Sequence, residues 1–167
     1  MSKRRSRSMA DKIAANNLYQ KATERWGRKR LRDAFRLSQA AARAGSEAAF
    51  EPLAQFYDYG QGIRANKQAA LYWYLRAYRS GCDSAANNIG CIWRDRGKLS
   101  RAIWWLKRAV KLGDDDANLN IAKIYLRPRR NLAKAEDYLN KVCKSKRVTR
   151  GSKEEARQLL KKLGPER

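Results

Sequence analysis

Histidine is absent from the 167-residue chain. Its absence removes the commonest general base, the usual catalytic triads and most zinc sites. Cysteine occurs three times, an odd number, and no C-x-x-C spacing links Cys82, Cys91 and Cys143, so neither a disulfide framework nor a redox pair is indicated. Buried or half-buried free thiols are the expectation for all three. Only 3 prolines and 10 glycines interrupt the chain, which favours helix over an all-β fold. No apolar run reaches membrane-spanning length, and the opening MSKRRSRSMADK lacks the apolar segment of a secretory signal. A cytoplasmic protein with reduced thiols is therefore expected. No G-x-x-x-x-G-K-[ST] or G-x-G-x-x-G motif is present, so no nucleotide cradle, cofactor or small-molecule ligand is predicted. Acid is also scarce: 16 Asp and Glu face 39 Lys and Arg, a formal charge of +23. Such a field attracts nucleic acid or an acidic protein and makes the encounter salt-dependent.

What is present is periodic. Residues 66–81, NKQAALYWYLRAYRSG, read as one amphipathic helix with Ala70, Trp73, Tyr74 and Ala77 on its apolar side and Gly81 as its stop. Degraded copies flank it. Residues 31–44 form a helix closed by Gly45, with Ala34 and Ala41 at the same seven-residue spacing, and residues 10–26 hold Leu18, Ala22 and Trp26 one helical turn apart. Ala49, Leu53, Ala54 and Tyr57 are answered by Ala85, Ile89, Gly90 and Trp93, and then by Ala117, Ile121, Ala122 and Tyr125. Ala102, Trp105, Leu106 and Ala109 repeat the organising helix, as do Ala135, Tyr138, Leu139 and Val142. The glycines at 45, 81 and 113 set a period in the range of helical repeats.

Small residues at helix crossings let backbones approach, and aromatics of the next helix fill what remains. Tyr57, Trp73, Trp93 and Trp105 are thus assigned to the core, whereas Trp104 points elsewhere and is the aromatic expected at the surface. Ser46 and the run Asp114–Asp116 stand where helices begin and are read as caps. Pro52 is placed in the first turns of its helix or at a kink. Residues 144–153 are read as a loop and 154–163 as a terminal helix with a polar face.

These residues resemble the Sel1-like repeats, relatives of the tetratricopeptide repeats, with the pattern A-x-x-x-L-G-x-x-Y, G-x-G, then A-x-x-W-Y-x-K-A-A-x-x-G. The fullest copy is Ala49, Leu53, Tyr57, Gly60, Gly62, Ala70, Trp73, Tyr74, Arg76, Ala77 and Gly81; a second runs from Ala85 to Gly113 without the G-x-G loop. A third keeps Ala117, Ile121, Tyr125, Ala135 and Tyr138. The resemblance implies an all-α, right-handed superhelix of about four helix-turn-helix repeats. Residues 1–9 are then a disordered basic tail, 10–167 one helical-repeat domain, 10–45 and 152–167 its terminal caps, and 46–81, 82–113 and 114–146 its repeats.

The layout of such repeats further implies a polar, mixed-charge inner face made of Asn17, Gln20, Glu24, Glu51, Gln55, Asp58, Tyr59, Asn87, Cys91, Arg94, Asp95, Lys123 and Arg127. Positive charge gathers apart from it, at Arg28, Lys29, Arg30 and Arg32, at Arg127, Arg129 and Arg130, and at Lys144, Lys146, Arg147 and Arg150. With no nucleophile–base pair to assemble, a non-catalytic binding protein is indicated, ahead of a hydrolase. By analogy of fold, its concrete form is an adaptor or immunity-type inhibitor of an acidic protein partner, such as a toxin or effector. The competing expectation is an RNA or nonspecific DNA binder that uses the basic clusters.

Overall fold

In a computed structural model, residues 8–127 and 131–164 are described. Among them the regular structure is helical: α1 (Met9–Gly27), α2 (Leu31–Ala44), a 3-10 turn (Glu47–Ala49), α3 (Phe50–Tyr59), α4 (Lys67–Arg79), α5 (Ser84–Asp95), α6 (Leu99–Lys111), α7 (Ala117–Tyr125), α8 (Leu132–Lys144) and α9 (Arg150–Leu163). Residues 1–7, most of the predicted tail, lie outside the described residues. Met9 begins α1 and Ser8 caps it: the Ser8 hydroxyl oxygen accepts from Asp11 N, and the Ser8 backbone N–H donates to the Asp11 carboxylate. No helix among the described residues is long and apolar enough to cross a membrane. The chain divides into two compact units, Met1–Cys82 and Asp83–Arg167.

In the first unit α1 pairs with α2 and α3 with α4. The crossings are made of alanine: Ala15, Ala34, Ala41, Ala54, Ala70 and Ala77 have no exposed surface. Tyr74 fills the space they leave, as the size alternation requires. Of the assigned core aromatics, Trp73 is buried, while Tyr57 is half-buried and Phe56 takes the deeper place. Phe56 meets Trp26 edge-on at 5.0 Å and Phe35 at 5.7 Å; Phe35 meets Tyr57 at 5.3 Å. Gly45, Gly60, Gly62 and Gly81 adopt the left-handed conformation that ends helices and turns loops.

Pro52 sits in the first turn of α3, where a missing N–H costs little. Ser46 does not cap. The 3-10 turn separates it from α3, and its hydroxyl donates instead to Asn16 Oδ1 at 2.7 Å.

In the second unit α5 pairs with α6, α7 with α8, and α9 closes the end. Gly90 lies at the α5–α6 crossing against Leu106 and Ala102. Trp93 and Trp105 are half-buried rather than central, and Arg101 lies over the Trp93 ring at 4.9 Å. Trp104 is exposed, as its register requires. Leu119, Ala122, Leu139, Val142 and Ala156 form the end of this core, with Leu159, Leu160 and Leu163 of α9 packed on it. The terminal helix begins at Arg150, four residues before the position read from sequence, because Thr149 accepts a hydrogen bond from Ser152 N and caps it. The segment 144–153 is thus only in part a loop.

Candidate functional site

On the first unit, Asn17, Gln20 and Glu24 are exposed along α1, and Tyr59 is exposed at the end of α3. Glu51 and Gln55 are half-buried. Glu51 accepts the thiol proton of Cys82 at 3.2 Å. Burial, and next the Glu51 charge, push the Tyr19 hydroxyl above the usual tyrosine range. Gln55, Tyr19, Trp26 and Phe56 line a cavity of about 270 Å³. Asp58 departs from the expected surface position. It is 8% exposed, pairs with Lys67 at 2.5 Å and accepts the Tyr74 hydroxyl at 3.3 Å. Asp58 is therefore a structural acceptor inside the α3–α4 hairpin, not a group facing a partner.

On the second unit, the first helices of successive hairpins meet through their polar side chains. Asn87 on α5 accepts a hydrogen bond from Asn120 Nδ2 on α7 at 3.0 Å, and Arg94 Nη1 donates to Asn120 Oδ1 at 3.0 Å. Arg94 Nε also binds Asp95 at 3.0 Å. Cys91, a half-buried thiol in no disulfide, donates to Asn87 Oδ1 one turn away at 3.9 Å. Lys123 on α7 reaches Glu155 on α9 at 2.7 Å, and Arg127 is exposed at the far end. Asn87, Arg94 and Asp95 are thus joined through Asn120, with Lys123 paired separately to Glu155 and Arg127 exposed beyond them. Asn120 was missed. It stands three residues before Lys123, on the same face by helical spacing, which is the signal that locates it.

The basic segments separate into different environments. Arg28, Lys29 and Arg30 are exposed between α1 and α2 and Arg32 in the first turn of α2, with Arg30 paired to Asp33 at 2.7 Å. Arg129 and Arg130 lie outside the described residues. Lys144, Lys146, Arg147 and Arg150 are exposed, and the Arg147 guanidinium lies over Gly113: a Cβ there would lie 2.3 Å from it. Gly113→Ala is expected to displace Arg147 and to strain a backbone held at φ +101°, costing roughly 1–3 kcal/mol by thermal melting.

The three aspartates 114–116 divide their labour. Asp116, not Asp114, is the N-cap residue of α7, and it makes no side-chain cap bond; the backbone N–H groups of Asp116 and Ala117 act on the Asp114 carboxyl in the direction that lowers its pKa. Asp115 instead accepts the Ser145 hydroxyl at 2.6 Å, and Asp116 accepts the backbone N–H of Thr149 at 3.2 Å, so both tie down the α8–α9 connection. Burial, and then the neighbouring Asp116 charge, raise the Asp114 carboxyl above the usual range. A raised acid favours the fold below its unfolded pKa of about 3.9, and that contribution is lost as pH rises through the folded value. Asp114→Asn, which mimics the protonated form, is expected to raise the melting temperature at neutral pH, with the difference closing under acid.

The Sel1 repeat family model matches residues 53–82 and 84–114. No curated protein matches the chain. Among solved structures, a protective antigen present in uropathogenic Escherichia coli strains, displaying an SLR fold, superposes with TM-score 0.71 at 16% identity over 91% of this chain and 35% of its own. A Sel1 repeat protein from Oxalobacter formigenes gives TM-score 0.54 at 20% identity over 83% of this chain and 62% of its own. An immunity protein from Pseudomonas aeruginosa gives 0.48 at 20% identity, over 77% and 52%. The chain thus spans about a third of the first structure's length and less than two thirds of the second's. The first two likenesses speak for the fold.

Proposed function

Because this chain is a Sel1-like repeat protein, and Sel1 repeats build scaffolds for protein interaction, we propose that it is a non-catalytic adaptor or immunity-type inhibitor that holds an acidic protein partner in the cytoplasm. The observation that carries this reading is the Asn87–Asn120–Arg94 network with Lys123–Glu155 beside it. Side chains already fixed by one another lose little entropy on binding, and so favour affinity and register. The charge of +23 supports an acidic partner, since a field of that sign steers such a protein toward the surface.

Reversing charge at Arg94 and Arg127 together (Arg94→Glu, Arg127→Glu) is expected to weaken capture of the native partner by roughly tenfold or more, with helicity by circular dichroism unchanged. The partner is one that copurifies stoichiometrically after nuclease and salt washes. Undiminished capture by the double variant would move the contact to another face.

Nucleic acid is the second reading, favoured by the exposed clusters at 28–32 and 144–150. It requires tight RNA or DNA binding that falls steeply with salt, and no stoichiometric protein.

A further inference from the structure

We propose that the groove between α6 and α8 docks an acidic amphipathic helix of the partner, as a second contact distinct from the polar residues on α5, α7 and α9. This rests on the protein-binding reading above. The groove has a volume of about 600 Å³. Lys107 and Lys111 of α6 and Lys141 and Lys144 of α8 form its lips, and half-buried Val110 and Tyr138 its floor, with fully buried Ile121 beneath them. The lysines of each pair are a helical turn apart, so ammonium groups line both sides. Lys141 pairs with Asp137 at 2.6 Å, whereas Lys107, Lys111 and Lys144 make no ion pair among the described residues. Asp115, the one acid in the lining, is already bound by Ser145. α6 itself carries Arg101, Lys107, Arg108 and Lys111 and no acidic residue. Trp104 shares the stripe of Lys107 and Lys111, is 53% exposed, and has Arg108 over its ring at 5.1 Å. An exposed tryptophan amid cations is the residue type that dominates binding at protein interfaces.

An apolar floor between cationic lips calls for an occupant with carboxylates on its flanks and aliphatic side chains between them. A phosphate backbone brings the charge but nothing for the floor. Bases could supply it only by stacking on a ring. Tyr138, the one ring in the lining, is already stacked on Tyr125 at 6.0 Å and covered by the Lys141 ammonium at 4.5 Å. That leaves Val110 and the lysine methylenes as the apolar surface that an aliphatic side chain meets.

The test uses the full chain and fluorescence anisotropy at physiological salt. The probe is a synthetic helical peptide with a leucine stripe flanked by glutamates, beside its leucine-to-alanine counterpart and a single-stranded DNA of equal charge. Lys107→Glu with Lys144→Glu is expected to weaken the leucine peptide roughly tenfold, and the charge-matched Lys12→Glu with Lys21→Glu on α1 by no more than about twofold. The alanine peptide is expected to bind at least about fivefold more weakly than the leucine one. Lys107→Gln with Lys144→Gln gives the same ranking without introduced acid. Equal losses in the two reversals, equal affinity for the two peptides, or DNA as the probe governed by Lys107 and Lys144 would overturn the groove. Such a result leaves the Arg94 and Arg127 experiment standing, because that one reads the native partner on other helices.

Discussion

Gly90→Val is expected to destabilise the second unit by about 3 kcal/mol, at the upper end of overpacking costs. Gly90 is buried in α5, and a Cβ built on it would lie 2.7 Å from Leu106 Cγ, 2.8 Å from Leu106 Cδ2 and 3.3 Å from the Ala102 carbonyl. Leu106 has no exposed surface and so nowhere to retreat. Intrinsic propensity argues the other way, since glycine in a helix interior is worse than alanine by about 1 kcal/mol. The clash outweighs it, and even Gly90→Ala is expected to lower stability. Shortening the opposing side chain provides the control. Leu106→Ala alone costs about 2–5 kcal/mol through the cavity it leaves, and the double variant with Gly90→Ala should cost less than the sum of the two. Urea melts give the energies, and hydrogen exchange across α5 and α6 locates the effect. A neutral or stabilising Gly90→Ala would show that the two helices are not in close contact.

The second large effect falls on the first unit. Asp58→Ala is expected to cost about 2–3 kcal/mol, because it strands the hydroxyl of fully buried Tyr74 and leaves Lys67 without its acceptor. The loss stays below that of a sealed ion pair, since Lys67 is half exposed and regains water. Tyr74→Phe removes the donor instead and should be milder, with coupling between the two changes in a double-mutant cycle. The pair also fixes an alkaline limit. Burial first, and then the Asp58 charge, raise the Tyr74 hydroxyl well above the tyrosine range. The unfolded chain ionises its tyrosine near about pH 10, so the contribution to folding is whole below that point and lost as pH rises beyond it. In alkaline melts Tyr74→Phe should flatten this decline, and an unchanged slope would remove Tyr74 from the account.

The repeat pattern was legible because it depends on spacing alone. Ala70 and Ala77, Ala102 and Ala109, and the left-handed glycines at 45, 81 and 113 mark helix faces and ends without knowledge of any distant partner. Polar roles were not legible in the same way. Asp58 and Arg94 occupy the same place in successive repeats, yet one is buried under Lys67 and Tyr74 while the other reaches Asn120 across a helix. What decides between them is the residue offered by another helix, 16 positions away for Asp58 and Tyr74 and 26 for Arg94 and Asn120. Ser46 shows this most plainly, since a serine before a helix reads as a cap until Asn16 is seen to hold its hydroxyl. For the α6–α8 groove, each lysine row is visible in its own helix, but nothing in the string brings the two rows together.

The loop glycine at 62 has a consequence for the basic segment at 28–32. A side chain there would lie 2.8 Å from Leu31 Cβ and 3.0 Å from the Arg32 nitrogen, so the loop after α3 bears directly on the start of α2. Any side chain at 62 would have to displace the backbone around Leu31 and Arg32, on top of the strain of φ +71°. Arg30 and Arg32, exposed on either side of Leu31, thus stand on backbone whose path depends on a glycine distant from them in sequence.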